Sequence, residues 1–339
     1  MILATLKDVA QAAGISMMTV SRVINAPDRV KPATRELVEK AIQEVGYIQN
    51  PAARALANKR LGVIDVYIPE HIDLSNSFAM HLIAGISDVL SSYLYSFLIL
   101  RSREVSHPCD GYIVMGLFKD EVDGMAEYAG SRNCPMVLFG HTPRKDIDCI
   151  DVDNVQGTYE LTRHLIAQGH RRIAMLNVAE EKDYTYDRLA GYRKALREAG
   201  LPFRPGWVVS AANHEDKGFE AARALLAASG EVTALVCASD VLALGAVRAA
   251  KTLGIQVPQE LSVTGFDGLG YHLLTEPKIF TARQPVYDVG CQLASLLLQR
   301  LSGEALDTVK RLVSPELIPG GSVAAPRAAV TISQKEELP

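Results

Sequence analysis

The stretch Thr5–Asn25, TLKDVAQAAGISMMTVSRVIN, constrains this 339-residue chain more than any other. Thr5 is a good N-cap with Asp8 at the third helical position, and Val9, Ala10 and Ala13 fall on one apolar face. Gly14 ends that helix, because glycine takes the left-handed C′ conformation at little cost. Ser16 caps a second helix, which leaves Gly14-Ile15-Ser16 as the turn. Val20, Val23 and Ile24 make the inner stripe of the second helix, and Met17, Met18, Ser21, Arg22 and Asn25 its outer face. A short helix with an exposed polar face and a fixed angle to its neighbour is what the DNA major groove admits. The plain alternative is an ordinary helical hairpin.

A third helix follows, PATRELVEKAIQEVGY, with Pro32 at its first position and Val38, Ala41, Ile42 and Val45 as its apolar stripe. Lys31 stands where a Ser or Thr cap is expected. Three helices in about 45 residues enclose only a minimal core. The segments DVAQAAGIS, TVSRVIN, VKPATRELVEKAIQEVGY and NPAARALA resemble the DNA-binding headpiece and hinge of the lactose/galactose-repressor (LacI/GalR) family. The likeness runs through the first 60 residues without gaps and continues more loosely beyond. It implies a helix-turn-helix headpiece over 1–49, a hinge over 50–60 and a two-lobed periplasmic-binding-protein-like core over 61–327; residues 328–339 have no periodicity and are expected to be a disordered tail. It also implies that Thr5, Ser16, Met17, Met18, Thr19, Ser21, Arg22 and Asn25 meet operator DNA.

In the hinge, NPAARALANKR, Asn50 can cap and Pro51 suits a first helical position, so a helix of two turns is possible. Helices that short are marginal in water, and a plain linker is the competing reading. The resemblance implies a segment that folds on operator DNA and drives Leu56 into the minor groove. An apolar wedge of that kind unstacks a base step and bends the duplex. Ala53 and Ala57 are small enough for two such helices to pack closely.

Charge distribution agrees with that division. Residues 1–60 hold nine Lys/Arg and five Asp/Glu, a net of +4, so the rest carries −8 of the total of −4. A basic end on an acidic body is expected where only the end meets phosphate. Five scattered cysteines without a C-x-x-C pair argue for a reducing compartment and against a metal site. No signal peptide and no apolar run of about 18 residues is present, so a cytoplasmic protein with no membrane partner is expected.

From Leu61 the pattern changes to α/β: near-continuous apolar strands such as LGVIDVYI, GYIVMG, RIAMLNV, ALVCA and LSVTGF alternate with helices. Such strands belong to parallel sheets covered on both faces. Two lobes are expected, split near residue 153 and rejoined near 281–320. One spacing departs from the family. Only ten residues, RSREVSHPCD, separate the strand ending at Leu100 from the one starting at Gly111, where the family has a helix. Parallel neighbours need a crossover of about a dozen residues, so this lobe has lost the helix or replaced it with an extended connection.

The effector site is expected between the lobes, outside the carboxyl ends of the strands. SNSF resembles the family's S-N-P-F and offers Ser75, Asn76 and Phe78, with Ser77 replacing the proline. DRLAGY offers Arg188, ASDVLALG offers Ser239 and Asp240, GFDG offers Asp267, and Asn213 falls at a position the family uses for contact. An aspartate that accepts two hydroxyl hydrogens beside a planar guanidinium fork suits sugars. Asp240 could cap the helix VLALGAVRAA, and Phe78 could be helix core. GFDGLG has the spacing G-x-x-G-x-G, not that of a dinucleotide site, and no P-loop, G-x-S-x-G or H-E-x-x-H occurs. The sequence reading is therefore a regulator, not an enzyme, without cofactor or metal, and the resemblance, with the two-fold symmetry of operator DNA, implies a dimer. It binds pseudo-palindromic operator DNA and is released by a small carbohydrate. The alternatives are a co-repressor-dependent regulator, using a purine-like ligand or a carrier protein, and a small-molecule-binding module without DNA function.

Overall fold

The computed structural model describes residues 4–25, 29–47, 60–104, 107–303 and 307–326. By their internal contacts they form two compact units, Met1–Gly62 and Val63–Pro339.

The first unit contains α1 (Leu6–Ala13), α2 (Met17–Asn25) and α3 (Pro32–Val45). Thr5 and Asp8 form a reciprocal capping box, with the Thr5 amide donating to Asp8 Oδ2 at 2.7 Å. Gly14 closes α1 at φ +64°, and Ser16 Oγ accepts from the Thr19 amide at 3.2 Å. Lys31 makes no side-chain cap to α3, whose start rests on Pro32. Val9, Val20 and Val38 are fully buried, with Ala10, Ala13, Val23 and Ala41 around them. Ile24, Ile42 and Val45 pack at the edge of this small core. Ala53, Leu56 and the rest of the hinge up to residue 59 lie outside the described residues, as does the 328–339 tail.

The second unit has two lobes. Strands β1 (Val63–Tyr67), β2 (Ser96–Leu100), β3 (Gly111–Val114), β4 (Met136–Phe139) and β5 (Asp148–Val152) start the first lobe, with helices α4 (Ser77–Ser92) and α5 (Glu121–Ser131). The second lobe contains α6 (Asn154–Ala167), β6 (Ile173–Val178), α7 (Asp183–Glu198), β7 (Val208–Ala211), α8 (Glu215–Ala228), β8 (Ala234–Cys237), α9 (Asp240–Thr252), β9 (Ser262–Asp267) and β10 (Phe280–Arg283). The chain then returns to the first lobe through α10 (Val286–Ser302) and β11 (Lys310–Val313), and ends in the second with β12 (Glu316–Ile318). The sheet orders are β11-β5-β4-β3-β1-β2 and β12-β10-β9-β8-β6-β7. Every pairing is parallel except that of β10 with β12. All six residues of β6 are buried, as apolar strands covered on both faces must be. The chain crosses between lobes after β5, between β10 and α10, and between β11 and β12. Helix α10 lies against α4 through glycines: a Cβ on Gly85 would overlap the carbonyl oxygen of Tyr287, and one on Gly290 that of Leu82.

The short β2–β3 connection has an extended path, with no helix among its described residues. It crosses β1, which lies between β2 and β3 in the sheet. There it brings His107 Nε2 to 2.9 Å from the buried carboxylate of Asp65 and seats Cys109 beside Tyr112 in the core. Burial raises the Asp65 carboxyl above its ordinary range, against the pull of His107. Beyond β1 the cover stops, and Leu98 on edge strand β2 is 49% exposed.

Candidate DNA-reading helix and effector cavity

Helix α2 presents Met17 and Met18 to solvent, 53% and 73% exposed, and Arg22 beside them is also exposed. Two adjacent apolar side chains beside an arginine give this face both a surface for thymine methyl groups and a donor for guanine. Thr5, Ser16 and Thr19 are engaged in caps: Thr5 Oγ1 donates to Asp8 Oδ2 at 2.7 Å, and the Ser16 and Thr19 hydroxyls are 2.9 Å apart. Ser21 is half-buried, and the backbone of Asn25 ends the helix.

Between the lobes lies a cavity of about 270 Å³. Of the residues offered by the sequence, Asn76, Phe78, Arg188, Asn213 and Asp267 line it. Ser75, Ser239 and Asp240 are not among the lining residues. Ser75 closes a turn on Asp73, its hydroxyl donating to Oδ1 at 2.8 Å, and this pair holds the Asp73 carboxyl low. Ser239 is fully buried, caps α9 through the Leu242 amide at 3.1 Å, and donates to Asn213 Oδ1 at 2.6 Å. Its influence on the cavity runs through Asn213. The Asn76 side chain also caps α4.

Arg188, on α7, is 5% exposed. Its Nε donates to Asn154 Oδ1 at 2.9 Å, Nη1 donates to the Ala238 carbonyl, and Nη1 lies 3.7 Å from Asp267 Oδ1. The guanidinium sits 3.8 Å from the Phe266 ring centroid, a cation–π contact. Burial lowers the Arg188 pKa and Asp267 opposes that shift. Asp267 accepts from Gln284 Nε2 at 2.6 Å. Burial pushes its carboxyl up to about 6, while Arg188 and Gln284 pull the other way. Asp151, also in the lining, is raised to about 7 by burial, against the pull of the Val152 amide, which donates to it at 2.8 Å.

Sequence reasoning missed Asp151, Asn154, Lys182 and Gln284. The last three sit near strand ends or helix starts, but no short motif marks them. Lys182 spans the lobes, its Nζ donating to the Gly116 carbonyl at 3.1 Å and lying 3.1 Å from His71 Nε2. Lys119 and Asp183 make a second bridge at 2.5 Å. The cavity walls differ: Phe78, Phe139, Leu117 and Ile72 give the first lobe an apolar side, whereas the second lobe contributes Arg188, Asp267 and Asn213. Phe78 and Phe139 meet edge to face with centroids 5.2 Å apart. Among the described residues no cluster of His, Cys, Asp and Glu could hold a metal ion, and no helix is long and apolar enough to cross a membrane.

A helix-turn-helix unit on a two-lobed α/β core with an interlobe cavity defines a class of ligand-responsive transcription regulators. Residues 5–50 match the model of the lacI family of bacterial regulatory proteins, and residues 162–323 that of a periplasmic binding protein-like domain. The HTH-type transcriptional regulator YvdE of Bacillus subtilis is 36% identical over 317 residues, 93% of this chain and 98% of that protein. The HTH-type transcriptional repressor CytR of Escherichia coli is 33% identical over 95% of this chain and 97% of its own. Among solved structures, a complex of the regulator CelR with cellobiose is 30% identical with a TM-score of 0.71, covering 94% of this chain and 99% of that one. The lac repressor dimer bound to operator and the anti-inducer ONPF is 27% identical with a TM-score of 0.74, covering 96% and 100%. The chain belongs to the lacI family of bacterial transcription regulators.

Proposed function

We propose that this protein is a cytoplasmic, homodimeric repressor that leaves its operator when a small, uncharged carbohydrate fills the interlobe cavity. The observation that carries the reading is the pairing of Arg188 and Asp267 on one wall with Phe78 and Phe139 on the other. A guanidinium fork and a carboxylate serve ring hydroxyls, and aromatic faces serve the C–H side of a sugar ring. Two of the lining charges are already matched, Lys119 by Asp183 and Arg188 by Asp267, and the Lys182 ammonium is engaged by the Gly116 carbonyl, which supports an uncharged ligand over a sugar phosphate. Residues 1–49 read the operator as a headpiece. The 50–60 hinge, with Ala53 and Leu56, wedges the minor groove, and the 61–327 core dimerises and senses ligand. Ligand loosens DNA binding only by favouring a lobe arrangement that binds operator less well, and operator must weaken ligand binding by the same factor.

The test is operator binding against added cellobiose, maltose, ribose, glucose 6-phosphate or hypoxanthine, for wild type, Arg188→Ala and Asp267→Ala. A neutral sugar should release the wild type. Both variants should keep their operator affinity and stay bound at that sugar concentration. Release of a folded variant at the wild-type midpoint removes that residue from the site. Tightening of the wild-type complex by any of the five compounds reverses the sign and makes the ligand a co-repressor.

A further inference from the structure

Asp240 lies behind the cavity wall, not in it, and its role differs from the helix cap that the sequence allows. The cap of α9 is Ser239. The Asp240 side chain is wholly buried, and its two oxygens reach away from the helix to two other elements. Oδ2 accepts from the Gly268 amide at 2.8 Å, and Oδ1 accepts from the Thr281 hydroxyl at 2.6 Å. Gly265 makes the room, since a Cβ there would overlap Oδ1. His272 Nδ1 stands 3.7 Å from Oδ2, too far for a hydrogen bond.

The residue before Gly268 is Asp267, which adopts φ +116° although it is not a glycine. A side chain at that angle is strained by about 1–3 kcal/mol and persists only where its surroundings hold it. On one side Gln284 grips Asp267, its amide donating to the Asp267 carbonyl at 2.9 Å and its side chain to the carboxylate at 2.6 Å. On the other side the next peptide N–H is held by Asp240. Two buried acceptor bonds thus fix α9 and β10 around the end of β9, and the strained angle sends the Asp267 carboxylate toward Arg188.

We propose that Asp240 is a positioning residue for the effector cavity: it holds the Gly268 amide and the Thr281 hydroxyl so that Asp267 keeps its strained backbone and presents its carboxylate to the ligand. The inference rests on the reading of Asp267 as an effector contact. It predicts that removing the clamp weakens effector response without touching operator affinity, since the headpiece reads DNA through other residues.

Full-length protein would be studied as wild type, Asp240→Ala and Asp240→Asn, by amide hydrogen exchange and by operator release with cellobiose, maltose and ribose. In Asp240→Ala the Gly268 amide should exchange about tenfold faster, the loss expected for a buried hydrogen bond. Amides of β8 should exchange as before. The sugar concentration for half release should rise by a similar factor while operator affinity without sugar stays constant. Asp240→Asn keeps an acceptor for Gly268 and should restore most of both effects. A folded Asp240→Ala protein with wild-type exchange at Gly268 overturns the proposal, as does faster exchange with an unchanged release midpoint. If that variant does not fold, Gly265→Ala replaces it, because its new Cβ must displace the carboxylate while leaving it in the chain; the same two outcomes then decide. Should none of the three sugars release the wild type, the inducer reading fails by itself. The exchange of Gly268 still upholds or overturns the role of Asp240.

Discussion

Replacing Arg188 with alanine should destabilise the core in a pH-dependent way, and the dependence separates charge from packing. Asp267 has a folded carboxyl raised to about 6, against about 3.9 unfolded, a difference worth about 3 kcal/mol. The folded state therefore binds the extra proton, and this stabilising contribution is complete below about pH 4 and lost as pH rises through 6. Arg188 pulls the Asp267 pKa down, so its removal raises that value further and extends the loss to higher pH. At pH 5 Asp267 is largely protonated in both proteins. What Arg188→Ala then forfeits is its bonds to Asn154 and Ala238 and its contact with Phe266, together about 2 kcal/mol. At pH 8 a buried carboxylate is also left without its cation, and the deficit should reach about 4 kcal/mol. For a unit of this size each kcal/mol lowers Tm by about 2–4 °C, so the drop should be about 4–8 °C at pH 5 and about twice that at pH 8. Scanning calorimetry of both proteins at the two pH values measures it. Equal drops would refute the electrostatic coupling of Arg188 to Asp267 and leave Arg188 as a packing residue.

Other substitutions probe other levels of the molecule. Arg22→Ala, on the exposed face of α2, should cost roughly 1–3 kcal/mol of operator binding and relax preference at one base pair per half-site, which selection on randomised DNA would reveal. Met17 and Met18 should favour thymine methyl groups, and replacing both with alanine should flatten that preference in the same selection. Gly14→Ala forces an alanine to φ +64° at the end of α1 with open space around it, so the headpiece should lose about 1 kcal/mol in denaturant unfolding. Gly85→Ala should cost more in a melt of the whole protein, because its Cβ meets rigid backbone of α10 and the two helices must separate.

The helix-turn-helix was legible because every local signal agreed: cap, capping partner, glycine stop and apolar spacing specify the same two helices. The buried strands were legible for a related reason, since β3 and β8, and β6 apart from Asn177, are apolar and covered on both faces. The edge strands β11 and β12 were not. β11 reads KRLV and β12 only ELI, and their pairing is decided by partners far away in sequence. Arg188 and Asp267 could be located by their motifs, whereas Asp151 looks like any acidic residue in CIDV and matters because of where β5 ends. Ser239 shows the limit of transfer by motif: the position is as expected, but the hydroxyl is consumed by a helix cap and by Asn213. The ten-residue β2–β3 spacing excluded a full helix, yet only the tertiary structure shows His107 and Cys109 filling part of its place.

The triple crossing between lobes has a consequence for synthesis of the chain. The first lobe's core needs Val289, Leu293 and Leu297 of α10 and its sheet needs β11, all of which emerge only after the second lobe has been translated. A nascent chain ending near residue 285 therefore holds a nearly finished second lobe beside a first lobe with α4 and the inner faces of β1, β3 and β4 uncovered. Contacts spanning about 200 residues close late, and until they do this surface is the one chaperones and other nascent chains can reach. Ribosome pausing just before α10 should prolong that exposure, whereas pausing after residue 320 should not.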